Sequence, residues 1–284
     1  MKTLKKLKKK LSKKLDHCKE FLNAQAFYLR LMVNKIANTL KFCLKVCALA
    51  IFTAVISFSS GMIHSAYIES KVGSNTVYIR SDKDAKLQGS ATGFEVKAPS
   101  GKVYTLTNAH VCGLADKNGI LLVQEKRYSD RLIPKHVIEV YEDNDLCLVE
   151  GLQGYEGLTL ADSSAVGDLV WAVGYPLGQG MNISSGRIKG YNPVEIADMD
   201  IPAAECTGKK MHMETFNMFF YTLDICIVER DSVSTDVPTF PGNSGSPMVN
   251  VFGNVEGVIF ASNSDSHWGS AVPLDYVNKF LKPY

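Results

Sequence analysis

The sequence predicts an all-β domain of about 200 residues behind a basic N-terminal segment and one transmembrane helix. Three observations lead to this prediction. From residue 67 onward, short runs of β-branched and aromatic residues alternate with Gly, Asn, Asp and Ser. A stretch without formal charge precedes them, and the sequence before that stretch is rich in lysine. With 284 residues, 46% of them hydrophobic, the chain is long enough to bury a full core.

Residues 1–45 form a basic segment that we expect in the cytosol. They hold 13 of the 31 basic residues and only two acidic ones, a net charge of +11, whereas the remainder carries −9. The total of +2 argues against a nucleic-acid partner. Regularly spaced leucines predict an amphipathic helix lying on an anionic leaflet, with a solvated charge run as the alternative. These leucines are Leu4, Leu7, Leu11, Leu15 and Leu22.

Residues 46–68 are predicted to be a transmembrane signal anchor. The 23 residues from Val46 to Ile68 carry no formal charge, and as a helix they span about 35 Å, enough to cross a bilayer. The lysine excess on their N-terminal side keeps residues 1–45 in the cytosol and exports the body to a periplasmic or extracellular space. A signal peptide cleaved after Gly61 or Ala66 is the alternative, but a basic region of this length favours the anchor.

The exported body, residues 69–284, is predicted to consist of short strands and one C-terminal helix. Pro273–Lys282 is the helix. The predicted strands are Val77–Arg80, Ser90–Val96, Val103–Thr107, Leu121–Glu125, Leu146–Val149, Leu169–Val173, Gly186–Tyr191, Ile225–Arg230, Ser246–Val251 and Val255–Ala261.

Three short segments of the body supply the parts of an acyl-transfer site. One ends in His110, one places Asp145 at the start of an apolar strand, and one holds Ser244 in the turn Gly242-Asn-Ser-Gly. Serine needs a base to accept its proton, histidine is that base near neutral pH, and a buried carboxylate fixes the imidazole tautomer. Asp143 is the competing acid, but Asp145 directly precedes the apolar run. The backbone N–H groups of Gly242 and Ser244 are the expected oxyanion donors.

The order His–Asp–Ser on an all-β chain narrows the possible classes of serine hydrolase. In subtilisins the first triad residue along the chain is Asp, and in α/β-hydrolases it is Ser. Five spaced motifs then carry a family resemblance over nearly all of residues 75–284. The chain resembles the trypsin-like serine peptidases, and within them the HtrA/Deg-like branch. The motifs are Thr107-Asn-Ala-His-Val111, Asp145-Leu-Cys-Leu148, the run Ala161–Pro176, the run Thr235–Pro247 and Ala271-Val-Pro273.

This resemblance implies two six-stranded chymotrypsin-like β-barrels, at about 75–160 and 161–284, with the site between them. His110 and Asp145 then belong to the first barrel and Ser244 to the second. The implied activity is endopeptidase hydrolysis of peptide or protein substrates through an acyl-enzyme. We expect no PDZ domain of the kind that larger members of this branch carry. The implied primary pocket is lined by Thr239, Phe240, Phe260, Ala261, Ser262 and Ala271. Without an acid at its floor, we expect it to accept a small or medium apolar side chain.

The departures from the family pattern concern one residue and one segment. Ser246 replaces a glycine, and a serine is small enough to be tolerated. The stretch 192–229 is longer than in the family and predicts an extra hairpin, whose Met and Phe residues we expect in a core.

Four cysteines lie in the body and allow three pairings. We expect Cys147 to be a buried free thiol. In an oxidising compartment, Cys206 and Cys226 can form a disulfide that crosslinks the extra hairpin. The pattern His110-x-Cys112 lacks further ligands, so no metal is predicted, and no cofactor is either.

Two alternatives to a membrane-anchored serine endopeptidase stay open. One is a catalytically inactive binding module with the protease fold. The other is a virus-encoded processing peptidase that cleaves a narrow set of sites by the same chemistry. The substrate and the oligomeric state do not follow from the sequence.

Overall fold

In the computed structural model of the protein, the chain divides into two units, Met1–Ile63 and His64–Tyr284. The described residues are 25, 29–36, 38–53, 64–83, 86–124, 131–198, 205–207, 210–218, 221–262 and 268–284. The amphipathic helix predicted over residues 4–22 lies outside this part of the chain.

One helix of the first unit, Leu29–Thr53, is long and apolar enough to cross a membrane by length and composition. Part of the span predicted over Val46–Ile68 lies outside the described residues. Residues 46–53 belong to this helix, which begins at Leu29, and residues 64–71 are helical in the second unit. Ile68 and Val72 are fully buried in the core of that unit, which is why the end of the predicted span does not face lipid.

The first six strands of the second unit close into a barrel in the order β1-β2-β3-β6-β5-β4. Its antiparallel pairs include Glu95 opposite Thr105 and Thr107 opposite Cys147. The strands are β1 Thr76–Lys83, β2 Lys86–Lys97, β3 Val103–Thr107, β4 Ile120–Gln124, β5 Leu132–Tyr141 and β6 Leu146–Glu150.

The remaining seven strands form a sheet in the order β13-β12-β11-β7-β8-β10-β9, and a β10–β13 pairing closes six of them into a second barrel. β9 pairs with the outer part of β10. The two six-stranded barrels implied by the resemblance are thus present. The strands are β7 Leu169–Gly174, β8 Asn182–Asp198, β9 Met211–Met218, β10 Tyr221–Pro238, β11 Pro247–Val249, β12 Val255–Ser262 and β13 Trp268–Pro273.

Three hydrophobic clusters explain why these runs form strands. Each barrel has its own interior cluster, and a larger third cluster contains residues of both barrels and of the C-terminal helix Leu274–Leu281. β6 contributes to two of them: Leu146 and Leu148 join the shared cluster, while Cys147 and Val149 fill the first barrel. A strand that is buried on both faces has a continuous apolar sequence, as β6 has. Asp145 directly precedes this apolar run.

The stretch 192–229 contains the predicted extra hairpin, formed by β9 and the first half of β10. The prediction that its Met and Phe residues lie in a core is wrong for Met213 and Phe216, which are exposed. β9 lies outside the six strands that close the second barrel, and both side chains are on this strand. The disulfide Cys206–Cys226 is formed, as the sequence allowed.

Candidate active site

His110 lies on a single helical turn, Ala109–Cys112, directly after β3. Ala109 and Val111 are buried, and this anchors the turn while the imidazole faces solvent with 39% of its side chain exposed. The preceding Asn108 is fully buried, and its amide nitrogen donates to the backbone oxygen of Asp145 at 2.9 Å. The turn that carries the histidine is therefore fixed to the segment that carries the aspartate.

Asp145 lies between the 3-10 turn Glu142–Asn144 and β6, with a left-handed backbone at φ 54°. Its side chain is buried. Its Oδ2 lies 2.8 Å from Nδ1 of His110, and its Oδ1 accepts the backbone N–H of His110 at 3.0 Å. Nη1 of Arg230 lies 3.1 Å from Oδ2. The competing acid Asp143 is exposed, so the aspartate beside the histidine is Asp145.

The carboxylate of Asp145 is kept ionised in spite of its burial. Burial alone raises the pKa of Asp145, but the hydrogen bond from His110 and the charges of His110 and Arg230 outweigh it. The net effect holds the pKa of Asp145 below its ordinary value. A charged carboxylate on Nδ1 is the arrangement that leaves Nε2 of an imidazole free to accept a proton.

Ser244 lies half-buried in a tight loop between β10 and β11, flanked by two glycines with positive φ. Gly242 has φ 95°, and a Cβ there would lie 2.5 Å from the backbone oxygen of Tyr175. Gly245 has φ 83°, and a Cβ there would lie 2.0 Å from the backbone oxygen of Thr92. Only glycine fits both positions, which explains the Gly-Asn-Ser-Gly sequence. Ser246, where the family has glycine, is fully buried.

Thr92 joins this loop to the first barrel, and the sequence analysis did not single it out. Its backbone N–H donates to the Ser244 oxygen at 2.9 Å, and its hydroxyl donates to the Gly242 oxygen at 2.8 Å. Its own backbone oxygen accepts the Thr107 hydroxyl, three residues before His110. A continuous set of hydrogen bonds thus connects the serine loop to the histidine turn. The sequence signal available for Thr92 was a threonine on the apolar face of a predicted strand.

A disulfide between Cys112 and Cys147 crosslinks the same two segments. The prediction that Cys147 is a free thiol is therefore wrong. Each cysteine lies two residues after a site residue, Cys112 after His110 and Cys147 after Asp145, and both side chains are buried. The sequence left three pairings open because the distance between the two segments depends on how β3 and β6 pair.

The predicted pocket residues lie in different surroundings. Thr239 is buried, and its Cγ2 lies 2.8 Å from the position of a Cβ on Gly269. Phe240 is 40% exposed. Phe260 belongs to the shared core and Ala271 to the interior of the second barrel. Ala261 is half-buried next to them, and Ser262 ends β12. Among the residues that the structure describes, no group of three His, Cys, Asp or Glu side chains is arranged to hold a metal ion.

Two antiparallel six-stranded barrels, with a His–Asp pair on the first and a glycine-flanked serine loop on the second, define the chymotrypsin-type class of folds. A family model described as a trypsin-like peptidase domain matches residues 91–258, more than half of the chain. The chain belongs to this trypsin-like peptidase family.

Curated relatives confirm the resemblance to the HtrA/Deg-like branch. The chain is 28% identical over 199 residues to the serine protease Do-like HtrB of Bacillus subtilis, covering 67% of this chain and 37% of the relative. It is 29% identical over 199 residues to a probable periplasmic DegP-like serine endoprotease of Chlamydia pneumoniae, covering 67% and 33%. The chain thus spans about a third of the length of these relatives.

Solved structures agree on the fold. The active form of the Rv3671c protease from M. tuberculosis has a TM-score of 0.56 at 22% identity, covering 75% of this chain and 81% of that one. The serine endoprotease from Yersinia pestis has a TM-score of 0.54 at 17% identity, covering 76% and 65%.

Proposed function

We propose that this protein is a membrane-anchored serine endopeptidase that hydrolyses peptide bonds through an acyl-enzyme intermediate. The observation that carries the proposal is the contact between His110 and the buried, ionised Asp145, in a fold whose serine loop is bonded to the same barrel. Relatives named as serine proteases support it. The apolar helix Leu29–Thr53 supports the membrane anchor.

In the proposed reaction, Nε2 of His110 accepts the proton of the Ser244 hydroxyl as Oγ attacks the scissile carbonyl carbon. The resulting oxyanion is stabilised by the N–H groups of Gly242 and Ser244. The imidazolium, held by Asp145, then donates its proton to the leaving amine and the acyl-enzyme forms. Water repeats the sequence, with His110 as base, and releases the acid and free Ser244.

For the residue before the scissile bond we propose a small or medium apolar side chain. Among the described residues of 238–241, 260–262 and 268–271 there is no carboxylate. A buried lysine or arginine of a substrate would lack a counter-charge there. Peptide-library profiling tests this preference, and efficient cleavage after Lys or Arg would contradict it.

The first test of the proposed function is labelling of the full chain, in mild detergent, with a fluorophosphonate that reacts only with activated serines. Wild-type protein should be labelled, and a Ser244→Ala variant should not. A Ser100→Ala variant, which removes an exposed serine in the turn between β2 and β3, is the matched control and should be labelled like the wild type. A folded wild type that stays unlabelled would favour the protease-fold binding module instead.

A further inference from the structure

The carboxylate of Asp145 contacts, besides His110, a cationic side chain that the three sequence motifs of the site do not include. Nη1 of Arg230 lies 3.1 Å from Oδ2 of Asp145, the same oxygen that faces Nδ1 of His110 at 2.8 Å. Only 14% of the Arg230 side chain and 1% of the Asp145 side chain are exposed. An ion pair this far out of water interacts more strongly than a surface pair and is screened less by salt.

Arg230 comes from the second barrel, whereas Asp145 and His110 come from the first. It lies on β10, opposite Val194 of β8. Its sequence neighbours Glu229 and Asp231 both pair with Lys210, at 3.9 and 3.1 Å. Because successive side chains of a strand point to opposite faces, this places Arg230 on the other face of β10, toward the first barrel.

We propose that Arg230 is a positioning residue of the active site. It holds the Asp145 carboxylate toward His110 from across the barrel interface, and its charge offsets part of the negative charge that the imidazolium experiences. This inference rests on the proposed function, because it assigns Arg230 a role in activating Ser244.

The physical argument has two steps. A buried carboxylate with a single partner is costly, so the guanidinium supplies the compensation that burial demands. The same positive charge weakens the attraction between Asp145 and a protonated His110. Neutralising Arg230 leaves the carboxylate without that compensation and strengthens this attraction.

Other ionisable groups on the neighbouring elements contribute less than Arg230 to the electrostatic field at the Asp145–His110 pair. The 3-10 turn before Asp145 and the strands β5, β6, β8 and β10 carry them, and they are exposed or bonded elsewhere. The acidic and basic ones whose side chains are described are Glu142 and Asp143 on the turn, Lys135, His136 and Glu139 on β5, Glu150 on β6, Arg187, Lys189 and Glu195 on β8, and Asp224, Glu229, Asp231 and Asp236 on β10.

The test follows the rate of fluorophosphonate labelling of Ser244 against pH, in the full chain in detergent. For Arg230→Gln we expect the midpoint of the acidic limb to move up by about one pH unit, which slows labelling at neutral pH by up to about tenfold. Arg230→Lys keeps the charge and should keep most of the wild-type midpoint. Arg187→Gln is the matched control, since that arginine lies on β8 and donates to the Gly167 oxygen, and its profile should equal the wild type.

Denaturant unfolding of the same variants separates the positioning role from a loss of structure. Arg230→Lys and Arg230→Gln should both remain folded, and only Arg230→Gln should move the midpoint. An Arg230→Gln variant that unfolds like the wild type but keeps its midpoint, or lowers it, would overturn the inference. An unlabelled wild type would instead remove the proposed function itself, so the two failures are distinct.

Discussion

Thr92 illustrates how single side chains in the first barrel hold the serine loop of the second. Its hydroxyl donates to the Gly242 oxygen and accepts the backbone N–H of Tyr175 at 3.0 Å. The residue itself is fully buried. This hydroxyl therefore helps to fix the position of the Gly242 peptide, together with the backbone hydrogen bond from Thr92 to the Ser244 oxygen.

We therefore expect Thr92→Val to slow fluorophosphonate labelling by about 10- to 100-fold, since small misplacements of catalytic groups cost that much. It should also destabilise the fold by about 1–3 kcal/mol, because two buried polar groups lose their partner. Thr76→Val is the matched control: Thr76 is also buried and donates to a backbone oxygen, that of Val72, outside the site. It should lose stability while its labelling rate is retained.

Glu95 is a second buried polar residue of the first barrel, but it lies outside the catalytic centre. Its carboxyl oxygens face the Thr105 hydroxyl at 2.6 Å and the Leu152 backbone N–H at 3.0 Å. Burial raises the pKa of Glu95 to about 7, although Thr105, Leu152 and the charge of Lys135 act in the opposite direction. The folded protein therefore binds this proton more tightly than the unfolded chain does.

The sign of the pH effect follows from linkage. The contribution of Glu95 to stability is complete below its ordinary pKa of 4.5 and decreases as the pH rises to about 7. Glu95→Gln mimics the protonated acid, so above pH 7 it should be more stable than the wild type by about 3 kcal/mol at most, and equally stable near pH 4. Denaturant unfolding at several pH values measures this difference. Glu150→Gln, an exposed acid on β6, is the control, and an equal pH-dependent gain there would contradict the assignment.

At the scale of elements, the Cys112–Cys147 disulfide ties the histidine turn to β6. It closes a loop with a sequence separation of 35 residues, for which chain-entropy arguments give a stabilisation of about 2–4 kcal/mol. The double variant Cys112→Ala/Cys147→Val should lose about that much stability. Its labelling rate should also fall, because His110 and Asp145 then depend on hydrogen bonds alone for their separation.

The second disulfide provides the comparison for this prediction. Cys206–Cys226 lies in a small separate cluster at the extra hairpin. Removing it with Cys206→Ala/Cys226→Val should increase proteolytic nicking of the hairpin and change labelling much less. Equal loss of labelling in both double variants would show that the first crosslink has no particular role at the site.

Most elements that are buried on at least one face were predicted from the sequence, and elements defined by long-range contacts were not. β13, which has buried residues but was not predicted, is an exception. β6 was predicted because its residues are apolar on both faces, and the C-terminal helix because its apolar residues recur at helical spacing. β5 was missed because it is mostly half-buried or exposed and contains Lys135 and Glu139. The sequence motifs predicted His110, Asp145 and Ser244 as site residues. The contacts of Arg230 and Thr92 join the two barrels, and no local spacing encodes such contacts.

At the scale of the whole molecule, two independent features point to an exported body. The basic residues 1–45 favour a cytosolic N-terminus. The two disulfides of the body need an oxidising compartment to form and persist. Since one feature concerns the charge of the first unit and the other the chemistry of the second, their agreement supports a single topology, with the helix Leu29–Thr53 as the anchor.

This topology predicts how the full chain behaves in membranes of an expression host. The protein should remain in the pellet after alkaline carbonate extraction. A Leu40→Asp/Leu44→Asp variant should be released, because each aspartate costs about 2.5–3.5 kcal/mol near the centre of a membrane helix. Both side chains are exposed on the helix, so the substitutions leave the second unit intact. Glu69→Gln, outside the helix, should behave like the wild type.

Protease added to sealed right-side-out vesicles should digest the body and leave the N-terminal segment protected, and inside-out vesicles should give the reverse. Alkylation before gel analysis should find Cys112, Cys147, Cys206 and Cys226 oxidised in the same preparation. A body that is protected in right-side-out vesicles, with its four cysteines reduced, would place it in the cytosol. In that case neither disulfide could contribute to the active site in the cell, and the positioning of His110 and Asp145 would rest on Asn108, Thr92 and Arg230.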